Sequence, residues 1–145
     1  MPSFLRNALN ATRAAVRPGW NELDLFRSVV DSANAAAGET VTVYGDFVCG
    51  AGCEAGGGPP GRRRVERGQL VLLDFSVVIQ GYRGDFASTF VVEGEPLARW
   101  RELERACLDA MSQAIPLLRP GIRAADIHRS VVEVFTRRAV AHLYP

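Results

Sequence analysis

Apolar residues recur along this chain at two periods, and the switch from one to the other marks its elements. From Ser3 to Val16, Leu5, Leu9, Thr12 and Val16 fall three or four apart, the spacing of one helix face. Ser3 is the expected N-cap of this helix and Pro18-Gly19 its expected stop. Asn21 to Ala37 predicts a second helix, with Leu23, Phe26, Val30 and Ala33 or Asn34 on one face and Gly38 at its end. Thr40 to Val48 turns to β-branched and aromatic residues broken by Gly45-Asp46, which predicts a strand pair or one bent strand. Cys49 to Gly61 is a loop by composition. Beyond a hairpin at 69–96, Leu97 to Leu118 predicts a long helix with Trp100, Leu103, Cys107, Met111, Ala114, Ile115 and Leu118 on one stripe. Trp100 and Met111 read there as core rather than as a cofactor box. Ala124 to Leu143 predicts a last helix with Ile127, Val131, Val134 or Phe135, and Arg138 on successive turns. Helices enclosing an antiparallel hairpin make the class α+β.

The hairpin carries the chemistry. Leu70 to Ile79 and Tyr82 to Val92 read as strands joined by Gln80-Gly81, with Gly81 supplying the positive φ a tight turn needs. That turn sets Ile79 opposite Tyr82 and Ser76 opposite Asp85, so Asp74 and Asp85 share a face diagonally, roughly 7–8 Å apart. Two carboxylates so placed among Leu73, Phe75 and Phe86 repel each other and lose hydration, at a cost of several kcal/mol each. One or two bound divalent cations would offset that cost. A structural reading stands beside the metal one: Asp85 hydrogen-bonding Gly84 or Tyr82, and Asp74 pairing with Arg83. A site with more acids would draw on Glu93 and Glu95, but both lie at or past the strand end.

Composition narrows the partners. A net charge of +1 gives no electrostatic case for nucleic acid or a membrane surface, and no apolar run approaches the roughly 20 residues a membrane helix needs. Every basic residue is Arg, which excludes a P-loop despite the glycines. Three cysteines without a framework suit a reducing cytoplasm, and Cys49 and Cys53 have no second pair with which to hold zinc. Arg62, Arg63, Arg64 and Arg67 read as a solvated turn, or as a contact to a substrate carboxylate. His128 reads as a surface or packing residue, and His142 has no assignment.

The sequence L-x-D-F at Asp74, followed eleven residues later by G-D-x-A-S-T-F at Asp85, resembles the first half of the metal site of the pita-bread metallopeptidases. Methionine aminopeptidases, Xaa-Pro aminopeptidases and Xaa-Pro dipeptidases make up that family, and the flanking residues are nearest the Xaa-Pro branch. Ser88 departs from it, since that branch carries Arg before the threonine that stands here as Thr89. The resemblance implies a curved antiparallel sheet with helices on its outer face. It also implies that Asp74 chelates one metal while Asp85 bridges two. The ions would be Mn²⁺, Co²⁺ or Zn²⁺, and their hydroxide would attack the first peptide bond of a peptide substrate. The family's remaining ligands, one His and two Glu, have no counterpart here, so the chain is expected to be the amino-terminal half of the catalytic domain (1–145) and inactive alone. No catalytic or substrate-binding residue is carried over. The competing expectation is a non-catalytic protein-binding module.

Arg17 to Val30 has a near copy at Arg119 to Val132, in which Arg, Pro, Gly, Asp, Arg, Ser, Val and Val coincide. A unit repeated at a fixed offset argues for a duplicated architecture. The first copy leads to the aspartate hairpin, whereas the second is followed by no sheet. A sheet edge left open in this way predicts a homodimer or self-association.

Overall fold

A computed structural model describes residues 2–140, with side chains from Arg6 onward. It contains five α-helices and three strands in the order α1 (Pro2–Ala15), α2 (Glu22–Ala37), β1 (Thr42–Cys49), α3 (Ala51–Glu54), β2 (Leu70–Ile79), β3 (Tyr82–Val91), α4 (Ala98–Ala114) and α5 (Ala124–Arg137). The chain forms two compact units that meet in sequence between Pro96 and Leu97.

In the first unit, the strands form one antiparallel sheet in the order β1-β2-β3, with helices against one face. The start of α2 is written into its sequence. Asn21 Oδ1 accepts from the Asp24 amide at 3.1 Å, and the Asn21 amide donates to Asp24 Oδ2 at 2.9 Å, closing a capping box. Gly38 ends the helix in the left-handed conformation (φ 71°), and Asn34 Oδ1 then accepts from the Val41 amide, steering the chain into β1. The core-facing stripe of α2 is Leu25, Val29 and Ala33, all fully buried; of the face read from spacing Ala33 lies on it, while Leu23, Phe26 and Val30 are half-buried. The helix is apolar over more than one stripe, so packing onto Phe47, Leu73, Phe75 and Val77 decides which is buried. Phe26 still reaches the core edge-on, with its ring centroid 5.2 Å from that of Phe47.

The Gly45-Asp46 interruption does not split β1. The strand runs unbroken from Thr42 to Cys49, and Gly45 lies so close alongside β2 that a Cβ would lie 2.1 Å from the Asp74 carbonyl oxygen. Between β1 and β2, the glycine-rich segment is pinned rather than loose. Buried Glu22, 4% exposed, accepts from the Cys49 amide (3.1 Å) through Oε1 and from the Gly61 amide (2.9 Å) through Oε2. Arg63 donates to the Cys49 carbonyl and lies 3.6 Å from Glu22, while Arg64 donates to the Gly19 carbonyl. Two arginines of the basic run are thus structural links instead of a purely solvated turn.

The second unit is a helix pair. Ala106 and Ala110 of α4 let Val134 and Phe135 of α5 pack closely, and Arg138 and Arg137 reach back to Asp109 and Gln113. Pro116 closes α4 in a short 3₁₀ turn at Ile115–Leu117. The buried stripe again differs from the expected one. Met111 and Leu118 are 58% and 65% exposed, so Met111 is not core, and Trp100 is half-buried. The last helix stops at Arg137, short of the predicted end at Leu143, and Ala139 turns the chain at a φ of 55°, while His142 lies outside the described residues.

The two copies of the repeat adopt the same local structure. Gly19 and Gly121 have φ values of 94° and 88°, and the ion pairs Asp24–Arg27 and Asp126–Arg129 measure 3.1 and 3.2 Å. Each copy joins two helices, α1 to α2 and α4 to α5.

Candidate metal centre

The β2–β3 turn has positive φ at both central residues, 49° at Gln80 and 83° at Gly81, as a type I′ turn requires. Its register places Ile79 opposite Tyr82, Ser76 opposite Asp85 and Asp74 opposite Ala87. The pairing expected from the sequence is therefore the one the chain adopts, and Asp74 and Asp85 lie diagonally on one face. That face is turned away from α1 and α2. Leu73 and Phe75 alternate to the other side, where they are buried in the core, and Phe86 packs against that same core. The carboxylates are consequently open to solvent, with Asp85 63% exposed, rather than enclosed by their apolar sequence neighbours.

Two transverse rows of side chains organise this open face. One row is Tyr44, Ser76 and Asp85, and the other is Asp46, Asp74 and Ala87. Asp46 directly opposite Asp74 was not legible from the sequence. Its signal was the period-two alternation Thr42, Tyr44, Asp46, Val48, which becomes readable only once β1 is known to be one strand. Directly opposed Cβ atoms lie about 4.5–5.5 Å apart, close enough for like charges to repel. Partial desolvation pushes the Asp74 carboxyl above its ordinary range, and the charges of Asp85 and Asp46 push it further.

Asp85 is oriented rather than isolated. Ser76, only 2% exposed, donates to Asp85 Oδ1 at 2.6 Å, and Arg83 Nε donates to Ser76 Oγ at 2.9 Å. Arg83 Nη2 lies 3.7 Å from Asp85 Oδ1, and the guanidinium sits 5.4 Å from the Tyr44 ring centroid. Arg83 thus pairs with Asp85, not with Asp74, and Asp85 is a mid-strand residue instead of a turn residue. The sequence reading placed Ser76 opposite Asp85 without giving it a role and paired Arg83 with the other aspartate, whereas both residues position Asp85.

Carboxylate oxygens and an excess of negative charge beside Asp74 suit a hard divalent cation. Among the described residues, no group of three or more His, Cys, Asp and Glu is close enough to hold a metal ion. Glu93 and Glu95 follow the end of β3 and do not join the pair. The cysteines form no alternative centre. The buried Cys49 sulfur lies 3.7 Å from Glu22 Oε1 and 3.4 Å from the Arg64 carbonyl oxygen, and burial together with the Glu22 charge pushes the thiol up to about 12. No helix among the described residues is long and apolar enough to cross a membrane.

Known proteins share this fold. Prolidase from Pyrococcus furiosus superposes on 97% of the chain with a TM-score of 0.85 at 22% identity, the match covering 41% of that protein. X-Pro aminopeptidase from Thermotoga maritima gives 0.86 at 18% identity, over 97% of this chain and 39% of that one. In sequence, an uncharacterised peptidase of Staphylococcus aureus (strain USA300) is 27% identical over 112 residues, 77% of this chain. The match spans 30% of that relative's length, so the chain corresponds to under a third of it. The α+β fold is that of the pita-bread peptidases over the part the chain spans. The sequence signature of Metallopeptidase family M24 matches residues 4–145, and the chain belongs to that family.

Proposed function

We propose that this chain contributes the aspartate half of a divalent-metal site in a peptidase that releases the N-terminal residue of peptides, with Xaa-Pro substrates favoured. The observation that carries the reading is the placement of Asp74 and Asp85 on one open sheet face, with uncompensated charge around Asp74. Asp74 and Asp85 would hold the cations. Ser76 would keep the Asp85 carboxylate oriented through its hydrogen bond. Bound cations of this kind polarise a peptide carbonyl and lower the pKa of water. Further ligands would come from outside the described residues, in keeping with residues 1–145 acting as the amino-terminal half of a catalytic domain. Three free cysteines accord with a reducing cytoplasm.

The test is titration of the purified chain with Mn²⁺, Co²⁺ and Zn²⁺ beside an Asp74→Asn variant, with an Xaa-Pro peptide assay in parallel. Metal binding that the variant loses, without turnover, is the expected result. Turnover by the chain alone would overturn the view that its ligand set is incomplete. Absence of metal binding at every concentration would favour the binding-module reading.

A further inference from the structure

The open face already holds a cation of its own. Arg83 crosses from the turn end of β3 to the row containing Asp85, where its guanidinium meets three partners. Nη2 approaches Asp85 Oδ1 (3.7 Å), Nε donates to Ser76 Oγ (2.9 Å), and the Tyr44 ring lies beneath the positive charge (5.4 Å). Ser76 in turn donates to the same Asp85 oxygen (2.6 Å). One carboxylate oxygen therefore receives a hydroxyl proton and faces a guanidinium, while Asp74 in the neighbouring row has Asp46 directly opposite and Asp85 on the diagonal.

We propose that Arg83 is an internal counter-cation that occupies Asp85 until a divalent metal displaces it, and so sets the metal affinity of this face. The inference rests on the reading of Asp74 and Asp85 as metal carboxylates. A guanidinium and a divalent ion cannot share Asp85 without mutual repulsion. At about 5 Å, a single and a double charge still repel even in water. Metal entry must therefore swing Arg83 off Asp85. The move breaks a half-exposed ion pair, a kind of contact that water already weakens. Arg83 retains Tyr44, 45% exposed, as a stacking platform beside the site. Ser76 stays bonded to Asp85 in both states, so the carboxylate does not have to be rebuilt.

The experiment is a Mn²⁺ titration of the full 145-residue chain followed by paramagnetic broadening of backbone amide signals, which detects weak binding without any turnover. Arg83→Gln should tighten Mn²⁺ binding at least about threefold, with broadening centred on Asp74 and Asp85. Arg83→Lys, which keeps the charge, should stay near the parent chain. In the double variant Arg83→Gln/Asp85→Asn the gain should vanish. Unchanged affinity in Arg83→Gln overturns the proposal, and so does an equal gain in Arg83→Gln and Arg83→Lys, which would assign the effect to packing. If Asp85→Asn weakens binding while Arg83→Gln changes nothing, the metal reading survives and the counter-cation role falls. If neither Asp74→Asn nor Asp85→Asn alters binding, both fall together.

Discussion

Single residues on this chain behave according to the face they occupy, and Cys49 shows how sharply. It ends β1 on the core side at 0% exposure, with its thiol toward Glu22 and its amide bonded to the same carboxylate. Burial and the Glu22 charge raise its pKa from an ordinary 9.0 to about 12, so the native chain resists forming the thiolate. The raised value fixes the direction of the pH dependence. Below pH 9 the thiol is protonated in both folded and unfolded chains and adds nothing. Between pH 9 and 12 only the unfolded chain ionises, so stability falls as pH rises, at a limiting slope of about 1.4 kcal/mol per pH unit. Urea midpoints at pH 8 and 10.5 should therefore separate by more in the parent than in Cys49→Ala. Equal separations would show that Cys49 ionises as easily in the fold as in the unfolded chain. Asp74 sits in a different setting on the opposite face. Its sequence neighbours Leu73 and Phe75 suggested an enclosed carboxylate, yet alternation sends them to the core and leaves the acids in solvent. The pairing of Asp74 with Asp85 was legible because a two-residue turn fixes register by counting. Asp46 was not, because its strand partner lies 28 residues on, across a loop whose length encodes no register.

At the scale of elements, local chemistry was readable wherever it stays local. The Asn21–Asp24 capping box, the Gly38 stop and the Gln80-Gly81 turn all lie within a few residues of the structure they specify. The buried stripes of α2 and α4 were not, since each helix offers alternative apolar faces and a distant partner selects one. The turn is the sharpest case for measurement. Gln80 holds a φ of 49°, a conformation costing a non-glycine residue roughly 1 kcal/mol, and Gly81 holds 83° at no steric cost. Gln80→Asn should stabilise the hairpin by about 0.5 kcal/mol, because Asn tolerates this region, whereas Gly81→Ala should cost about 1 kcal/mol. Thermal unfolding of the two variants reads both signs. A Gly81→Ala variant as stable as the parent would mean the turn relaxes to another type, and the Asp74–Asp85 register would then need a second device to hold it.

Across the whole chain, the repeat sets two helix hairpins side by side for comparison. A shift of 102 positions carries Arg17 to Arg119, and it also carries Leu9 to Met111, Val16 to Leu118, Val29 to Val131 and Ala33 to Phe135. In the first hairpin Leu9, Val16, Val29 and Ala33 are buried in the core that includes the three-stranded sheet. In the second, Met111 and Leu118 stand 58% and 65% exposed, and no strand follows among the described residues. The pairs Leu9/Met111 and Val16/Leu118 thus differ in burial, whereas Phe135 is buried as Ala33 is, and burial rather than residue type should govern their energetics. Leu9→Ala removes a core side chain and should cost about 2–4 kcal/mol, while Met111→Ala should change stability by less than about 0.5 kcal/mol. Trp20 and Trp100 fall in different units, so fluorescence of Trp20→Phe and Trp100→Phe backgrounds reports each hairpin separately. Should Met111→Ala prove as damaging as Leu9→Ala, and its effect grow with protein concentration, the exposed face of α4 is covered in solution by a second copy of the chain. Loss at Leu9 alone, independent of concentration, leaves that face free in the isolated chain.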